Sequence, residues 1–454
     1  MSASGPLRDM LLSAIPDANQ LEDVKDCLGH VQILARQLLG ETAAVVVQGS
    51  YAQGLALRTS DLDVAVIIGE DELKLSKESK KVRKRAGSDS QEASPDGVQR
   101  AKAAACLREL AAALATADLP EIRIAMRIFT ARVPVLRLHC GDPTRGKTVV
   151  DVSVGSSLLR GACDRCVYAV LEQDPSGCSA ALCRLIKIWA KRRRLTDTLR
   201  GGLSSFALVL MTIFFLQSSR PSPSKGPMLL PHRAITGSRP EPADREEGCP
   251  EPLEMTSLCS HRELGLLLLG FFTWADEELP KLRGRVLSVA TAKSEPLQGS
   301  SAKPLVVEVP FSSCENAARC LRPDVWEKLV RPEFARGRRL SQQIIKGEAG
   351  SKAVKLLFAA AGGAVEKEAS AEGRGEQQAD QDMEFGTLER EEQPMESEAA
   401  FLPEPTSGRG RKRRRASKPP FPKLRPANAS EDALPKPVAP VERWLGLRSL
   451  LAGT

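Results

Sequence analysis

The pattern of apolar positions changes along the chain. Residues 5–40 and 98–116 carry apolar side chains at helical spacing. Apolar runs rich in β-branched residues, which favour strands, occupy residues 44–48, 61–68, 122–138 and 148–154. From about residue 156 the helical spacing returns and continues. The pattern therefore predicts an α/β (α+β) fold, in which a mixed-sheet domain precedes a helical domain.

Changes in composition set the predicted boundaries. We expect a sheet domain at 1–155, a helical domain at 156–335 and a largely disordered tail at 336–454. A charged, Ser-rich stretch at 74–97 is predicted to be a mobile insertion, and a Pro- and Ser-rich stretch at 218–254 is predicted to be too polar to pack. The tail holds an acidic part, residues 366–404, and a basic run, residues 408–425.

Composition limits the cellular compartment in which the protein is expected and the class of protein to which it can belong. The 454 residues carry a formal net charge of +8 and eleven cysteines, and no apolar signal segment begins the sequence. Most of these cysteines are expected to be reduced thiols of a cytosolic or nuclear protein. The longest apolar run, Phe206 to Leu216, is too short to cross a bilayer, so no membrane partner is expected. Cys163 and Cys166 form a lone CxxC pair, which does not favour zinc.

The predicted strands carry the candidate chemistry. Asp61 and Asp63 alternate with apolar residues, so they project from one face of their strand. Asp151 lies in a later strand that is predicted to be a neighbour. Three carboxylates on adjacent strands repel one another unless cations lie between them, and two Mg²⁺ ions about 4 Å apart are the recurring arrangement for phosphoryl displacement. Gly49-Ser50 breaks the preceding strand and is suited to bind a phosphate.

Ordered motifs in residues 1–335 resemble one family. GSYAQGLALRTSDLDVAV is similar to the catalytic signature of the DNA polymerase β-like nucleotidyltransferases. CRLIKIWAKRRRLT and LSSFALVLMTIFFLQ resemble the helical domain of the branch that contains non-canonical poly(A) polymerases and terminal uridylyltransferases. LGLLLLGFFTW and VEVPFSSCENAAR resemble its poly(A)-polymerase-associated segment.

The resemblance implies a reaction and its cofactors. Two Mg²⁺ or Mn²⁺ ions would be held by Asp61 and Asp63, which bridge both, and by Asp151, which holds the ion that activates an RNA 3′-hydroxyl. That hydroxyl attacks the α-phosphate of ATP or UTP, and pyrophosphate leaves. Gly49 and Ser50 would bind the phosphates. The implied partners are therefore an RNA 3′ end and ATP or UTP.

The resemblance also implies nucleotide contacts in the helical domain. Lys187 and Lys191 lie four residues apart and share a helix face, which in the family contacts the triphosphate. The alternative is a solvated basic face. Three further residues are predicted to follow the RNA backbone by neutralising phosphates: Arg192, Arg193 and Arg194.

Ser204-Ser205-Phe206 begins the next predicted helix, and it is implied to contact the incoming base. The family usually has Tyr where Phe206 stands, and Phe retains the face for stacking but loses the hydroxyl. An ordinary core phenylalanine is the alternative reading of Phe206.

Base choice is predicted to depend on Glu315. Uridine-selective members have His just before the residue that is Asn316 here. A carboxylate can accept a hydrogen bond from the adenine amine, whereas uracil presents an acceptor oxygen, so the preference tilts towards ATP. Asn316 and Arg319 remain alternative determinants.

Two other functions stay open. A nuclear RNA-binding scaffold with a degenerate active site is favoured by Ala162 and Val309, which depart from the family motif, whereas the intact set of three acids argues against it. A nucleotidyltransferase that acts on small molecules or makes oligoadenylate is the other. No RNA-recognition motif is apparent, so selection of the RNA is expected to depend on the basic surface or on protein partners. The basic tail predicts a nuclear location, alone or together with a cytoplasmic one, and a general RNA tether is the alternative role for this tail.

Overall fold

The computed structural model describes residues 5–68, 95–116, 122–131, 133–141, 148–155, 158–218, 228–237, 249–256, 259–298, 303–347 and 350–361. Most of the predicted insertion at 74–97 and the tail from residue 362 lie outside these residues. Their predicted mobility and disorder therefore stay predictions.

A five-stranded sheet forms the first domain, as predicted. Its strands are β1 (Ala44–Gln48), β2 (Leu62–Ile67), β3 (Ile122–Ile128), β4 (Val135–Cys140) and β5 (Thr148–Val154). They lie in the order β1-β2-β5-β4-β3. β2 and β5 run parallel, whereas the other neighbouring pairs are antiparallel. The sheet is therefore mixed, which confirms the predicted fold class.

Helices cover one face of this sheet. They are α2 (Ala18–Leu39) and α4 (Pro95–Thr116), and the short α3 (Gly49–Ala52) follows β1. Asp17 begins α2 as its N-cap, because its carboxylate accepts a 2.9 Å hydrogen bond from the Gln20 amide. Leu62 and Val64 enter the core against these helices. The opposite positions of β2 are thereby left for the acidic residues, as period-two alternation requires.

The second region is mainly helical. Its helices are α5 (Leu158–Glu172), α6 (Cys178–Arg192), α7 (Ser205–Ser218), α8 (Arg233–Thr236), α9 (His261–Thr273), α10 (Pro323–Val325), α11 (Arg331–Lys346) and α12 (Gly350–Leu357), with π-helical turns at Trp274–Glu278 and Trp326–Val330 and a 3₁₀ turn at Leu279–Leu282. Trp189 of α6 lies at the centre of the packing. Its ring centroid is 4.8 Å from that of Phe272 and 5.6 Å from that of Phe334. Aromatic burial thus joins α6, α9 and α11.

The predicted domain limits need two corrections. The N-terminal helix α1 (Pro6–Ala14) packs on the helical region: Leu7 is fully buried, and Arg8 donates a 3.2 Å hydrogen bond to the Cys259 carbonyl. The boundary at 335 is also too early, since α11 and α12 continue the packed region. Ile344 and Phe358 bury their side chains there.

The helical region also contains a sheet that the sequence pattern did not predict. Its strands are β6 (Arg285–Ser288), β7 (Lys293–Pro296), β8 (Val306–Val309) and β9 (Ser312–Asn316), in the order β7-β6-β8-β9. Part of the predicted insertion at 218–254 packs beside it. Leu229 is buried, and the His232 amide donates a 3.2 Å hydrogen bond to the Val289 carbonyl. The prediction that this stretch is too polar to pack is therefore wrong for residues 228–237.

Four cysteines form disulfide pairs, Cys27–Cys140 and Cys178–Cys259. The prediction of reduced thiols was made for most of the eleven cysteines, and these four, whose partners are distant in sequence, are exceptions to it. Within the part of the chain that the structure describes, Cys106, Cys183 and Cys320 are among the cysteines that are free thiols. No helix in the described ranges has the length and apolar character needed to cross a lipid bilayer.

Candidate active site

The three acidic residues meet at the β2–β5 pair. Asp63 and Asp151 are register partners in these parallel strands, and Gln48 of β1 is opposite Asp63 on the other side. Asp61 precedes β2 directly, and its side chain is 45% exposed, against 17% for Asp151. The predicted strands therefore bring these acids together.

A cation that the sequence analysis missed lies among these acids. Arg137 of β4 is the register partner of Asp151. Its guanidinium donates two 2.7 Å hydrogen bonds to Asp151, from Nε to Oδ1 and from Nη2 to Oδ2, and Nη2 also lies 3.3 Å from Asp61 Oδ2. The bond to Asp151 and the charges of Asp61 and Asp63 raise the Arg137 pKa, so its charge is fixed. The sequence signal was a polar residue within an alternating apolar strand.

The Gly49 backbone fits closely against the acidic cluster. Gly49 has a φ of +66°, and a Cβ added there would lie 2.3 Å from Asp63 Oδ2. Its amide donates a 2.8 Å hydrogen bond to the carboxylate of Asp164, which also accepts a 2.7 Å bond from the Gln53 side chain. Asp164 is buried in α5. It therefore holds the turn that carries Ser50, a role for which a lone acid between two cysteines gave only a weak signal.

The two lysines of α6 reach the loop between α3 and β2. Lys187 is buried, and its Nζ donates a 2.8 Å hydrogen bond to the Leu55 carbonyl. Burial lowers the pKa of Lys187 to about 7. Lys191 is exposed and donates bonds of 3.0 and 3.2 Å to the carbonyl and hydroxyl of Thr59. Lys191 thus lies beside the segment that leads to Asp61, whereas Lys187 faces protein rather than a cleft.

The predicted row of three arginines is not a single exposed surface. Arg193 is buried and forms a two-point salt bridge with Glu333, at 2.7 and 3.0 Å. Arg192 donates a 3.1 Å hydrogen bond to the Phe358 carbonyl. Arg194 is exposed. The prediction that all three follow the RNA backbone is therefore wrong for Arg193, because its charge is satisfied inside the fold.

Arg194 lines an open pocket of about 380 Å³ beside Lys191. The pocket is completed by Thr196, Asp197 and Arg200. Asp197 pairs with Arg200 at 3.4 Å, so the lining carries an excess of positive charge. This pocket is suited to an anionic group.

The start of α7 lies beside the end of β9. The Ser204 hydroxyl donates a 3.0 Å hydrogen bond to the Ala317 carbonyl and accepts one of 3.0 Å from the Ala207 amide. Ser205 is exposed and Phe206 is half-buried. Glu315 of β9 is exposed, as is Arg319. The predicted base-contacting residues therefore belong to two adjoining segments, which leaves Phe206 and Glu315 available to a ligand.

Asn316 has a structural position instead. Its Oδ1 accepts hydrogen bonds from the Val307 and Ala318 amides at 3.0 and 2.8 Å, and its Nδ2 donates one of 3.1 Å to the Leu305 carbonyl. These bonds use the polar atoms of the amide to shape the β8–β9 segment. The alternative assignment of base choice to Asn316 is therefore not supported.

One departure from the family motif is explained by packing. The Cys163 thiol donates to the Pro310 carbonyl at 3.0 Å, and Phe311 next to it has a φ of +63°. The Phe311 ring lies 5.1 Å from that of His232. Cys163, which departs from the family motif, thus anchors the turn between β8 and β9.

The acidic cluster has the donors that Mg²⁺ and Mn²⁺ prefer, which are carboxylate oxygens. Among the described residues, no group of three or more His, Cys, Asp or Glu side chains is arranged to hold a metal ion. Asp61 and Asp151 contact the Arg137 guanidinium, a stand-in cation, which shows that this site attracts positive charge. The donor set therefore fits divalent ions, once Arg137 moves.

Taken together, the mixed sheet, the Gly-Ser turn and the acids of two parallel strands define the fold of a nucleotidyltransferase. Residues 4–158 match the family described as the central palm domain of mitochondrial-like poly(A) RNA polymerase. This segment is therefore similar to that palm domain, which confirms the resemblance seen in the motifs.

Individual relatives agree with this assignment. Poly(A) RNA polymerase GLD2-B of Xenopus laevis is 24% identical over 318 residues, which cover 68% of this chain and 54% of that protein. Terminal uridylyltransferase 7 of Homo sapiens is 28% identical over 176 residues, or 38% of this chain and 9% of that protein. The chain thus spans about half, or much less, of the relatives it matches.

Solved structures share the fold across both regions. The mtPAP structure in complex with UTP aligns with a TM-score of 0.57 and 18% identity, covering 79% of this chain and 73% of that one. The Cid1 poly(U) polymerase with bound MgGTP aligns with a TM-score of 0.52 and 19% identity, covering 78% and 98%. At this identity the likeness shows the fold.

Proposed function

We propose that this protein is an RNA 3′-terminal nucleotidyltransferase that adds AMP or UMP residues and releases pyrophosphate. The observation that carries the proposal is the pairing of Asp63 with Asp151 in parallel strands, with Asp61 beside them and the Gly49-Ser50 turn against Asp63. The relatives named poly(A) RNA polymerase and terminal uridylyltransferase support it.

Asp61, Asp63 and Asp151 would hold two divalent cations, Mg²⁺ or Mn²⁺. When bound, such ions lower the pKa of an attacking hydroxyl and stabilise the charge on the phosphates. The chain itself positions the reactants. Ser50 offers a hydroxyl to the phosphates, and Lys191 with the neighbouring basic pocket neutralises the triphosphate. Phe206 offers a face on which the base stacks.

The direct test is extension of a labelled oligoribonucleotide by the purified full chain, with each NTP in turn and with Mg²⁺ or Mn²⁺. We expect 3′ extension with ATP or UTP, and none from the Asp61→Ala/Asp63→Ala double variant. Clear extension by that variant would refute the mechanism. RNA binding without any extension by the wild type would instead support a scaffold with a degenerate site.

For the choice of base we propose Glu315, with a slight preference for ATP. Its exposure on β9, which adjoins the start of α7, supports this assignment. Glu315→His replaces an acceptor by a donor, so the UTP:ATP ratio should rise by about threefold to tenfold, the equivalent of one hydrogen bond. A strong UTP preference of the wild type would contradict it and would favour Arg319.

The location of the protein in the cell and its choice of RNA are also part of the proposal. We propose that the basic run at 409–415 directs the protein to the nucleus, since a dense cationic cluster is what import receptors bind. A tagged protein without residues 408–425 should then leave the nucleus. Persistent nuclear location would contradict an import signal, and weaker RNA binding in vitro would point to a tether. Protein partners are proposed to select the RNA.

A further inference from the structure

We propose that Arg137 is a built-in cation that occupies the position of the divalent ion held by Asp151, so that this ion binds only when the guanidinium moves away. The two metal positions then differ in affinity, and the position on Asp61 and Asp63 fills first. The inference rests on the proposed function in one respect, which is that this function requires two divalent ions.

The geometry places Arg137 in competition with a metal. Both carboxylate oxygens of Asp151 accept 2.7 Å hydrogen bonds from the guanidinium, in the two-point geometry that makes arginine–carboxylate pairs strong. The contact to Asp61 is longer, at 3.3 Å, and uses one oxygen. A metal ion that binds Asp151 must therefore replace the fork, whereas an ion on the other two acids disturbs only the longer contact.

The strand register keeps Arg137 at this place. Leu136 and Leu138 flank it and pair with Val152 and Val150 of β5, and all four side chains are buried. The backbone is thus fixed, and only the side chain can move. Its 33% exposure gives the guanidinium a path to solvent.

Charge decides the direction of the effect. The three acids attract cations, and one guanidinium among them offsets part of that attraction while it repels a divalent ion. Removing the guanidinium should tighten the binding of a divalent ion at the Asp151 position by about tenfold or more. The ion is then no longer repelled by a positive charge, and charges interact strongly in a partly buried site. A purely structural arginine predicts the opposite, since its loss would leave Asp151 misplaced and binding weaker.

The test measures Mn²⁺ binding to the full chain by electron paramagnetic resonance, without nucleotide or RNA. We expect one tighter and one weaker site in the wild type. In Arg137→Gln the weaker site should tighten by about tenfold or more. Arg123→Gln is the control, since Arg123 is exposed on β3 in the same sheet, and it should match the wild type. Equal or weaker Mn²⁺ binding by Arg137→Gln would overturn the proposal.

A double variant tests whether the gain in Mn²⁺ affinity arises at Asp151. In Arg137→Gln/Asp151→Asn the tighter binding should disappear, because the ligand that Arg137 had covered is gone. A gain that persists would overturn the assignment to Asp151. If Arg137→Gln does not fold, Arg137→Lys retains the charge but not the two-point fork, and about a threefold gain is expected. No gain in a folded Arg137→Lys would then overturn the proposal.

Thermal unfolding gives a second readout. Without metal, Arg137→Gln should unfold at a lower temperature than the wild type, because the acids lose their counter-charge. Saturating Mn²⁺ should then raise its unfolding temperature by more than that of the wild type. If Mn²⁺ binding and unfolding follow this pattern but the wild type does not extend RNA, the proposed function is refuted and the role of Arg137 is not.

Discussion

The backbone conformation of Gly49 and its short distance to Asp63 together exclude a side chain at this position. Gly49→Ala would combine a φ of +66° with a Cβ 2.3 Å from Asp63 Oδ2. We expect a loss of about 1–3 kcal/mol in the free energy of unfolding, measured by urea denaturation, and a loss of RNA extension from the displacement of Asp63.

Gly29→Ala is the matched control. Gly29 lies within α2, and a Cβ there meets nothing within 4 Å. Alanine favours helices, so this variant should be neutral or more stable by about 0.5–1 kcal/mol. Equal losses in both variants would mean that the fit of Gly49 against Asp63 is not the cause.

Asp164 holds the same turn through hydrogen bonds to its carboxylate. Asp164→Ala would leave the half-buried Gly49 amide and the buried Gln53 side chain without their acceptor, at a cost of about 1–3 kcal/mol to the free energy of unfolding. Because the turn carries Ser50, the KM for nucleotide should rise in the folded variant. Asp164→Asn retains one acceptor oxygen and should lie between alanine and the wild type. An unchanged stability of Asp164→Ala would show that solvent replaces these bonds.

At the scale of elements, α6 and α11 are joined by the Arg193–Glu333 salt bridge, with side chains only 8% and 11% exposed. Among the described residues, Arg193→Ala leaves the buried Glu333 carboxylate with the longer, 3.3 Å contact from Arg336. We expect it to lower the free energy of unfolding by about 3 kcal/mol in urea denaturation.

Arg194→Ala is the neighbouring control. Arg194 is exposed, so its loss should leave stability nearly unchanged while it weakens RNA or nucleotide binding and makes that binding less dependent on salt. A larger loss of stability in Arg194→Ala than in Arg193→Ala would contradict the division of this helix end into a packing residue and a binding residue.

At the scale of the whole molecule, Lys187 joins the helical region to the palm through the Leu55 carbonyl. Burial lowers its pKa from 10.5 to about 7. Between these values the unfolded chain holds a proton that the folded protein has released, so the contribution of Lys187 to stability rises with pH. The slope is at most about 1.4 kcal/mol per pH unit.

Urea denaturation between pH 7 and pH 9 checks this prediction. The wild type should gain stability over this range relative to Lys187→Met, which cannot titrate. Parallel curves for the two proteins would mean that Lys187 stays charged in the folded state and that solvent reaches its amine.

The strands and the main helices were predictable because burial leaves a regular signature in a sequence. Leu62 and Val64 alternate with Asp61 and Asp63, and this alternation alone assigned the acids to one face of β2. The spacing of apolar residues likewise identified α2 and α4. The four-stranded sheet β6–β9 was missed, because its strands have only four or five residues each. So few positions do not establish a period.

The sequence by itself determined the fold class, the acidic cluster and the Gly49-Ser50 turn, since each depends on a local pattern or motif. Only the tertiary structure decided which polar side chains are enclosed. Lys187, Arg193 and Asn316 bond to Leu55, Glu333 and Leu305, and the partners of the first two lie more than a hundred residues away. Arg137 reaches Asp151 through the pairing of β4 with β5. Helical spacing or alternation gives the direction of a polar side chain, but the segment that it meets depends on how distant parts of the chain pack.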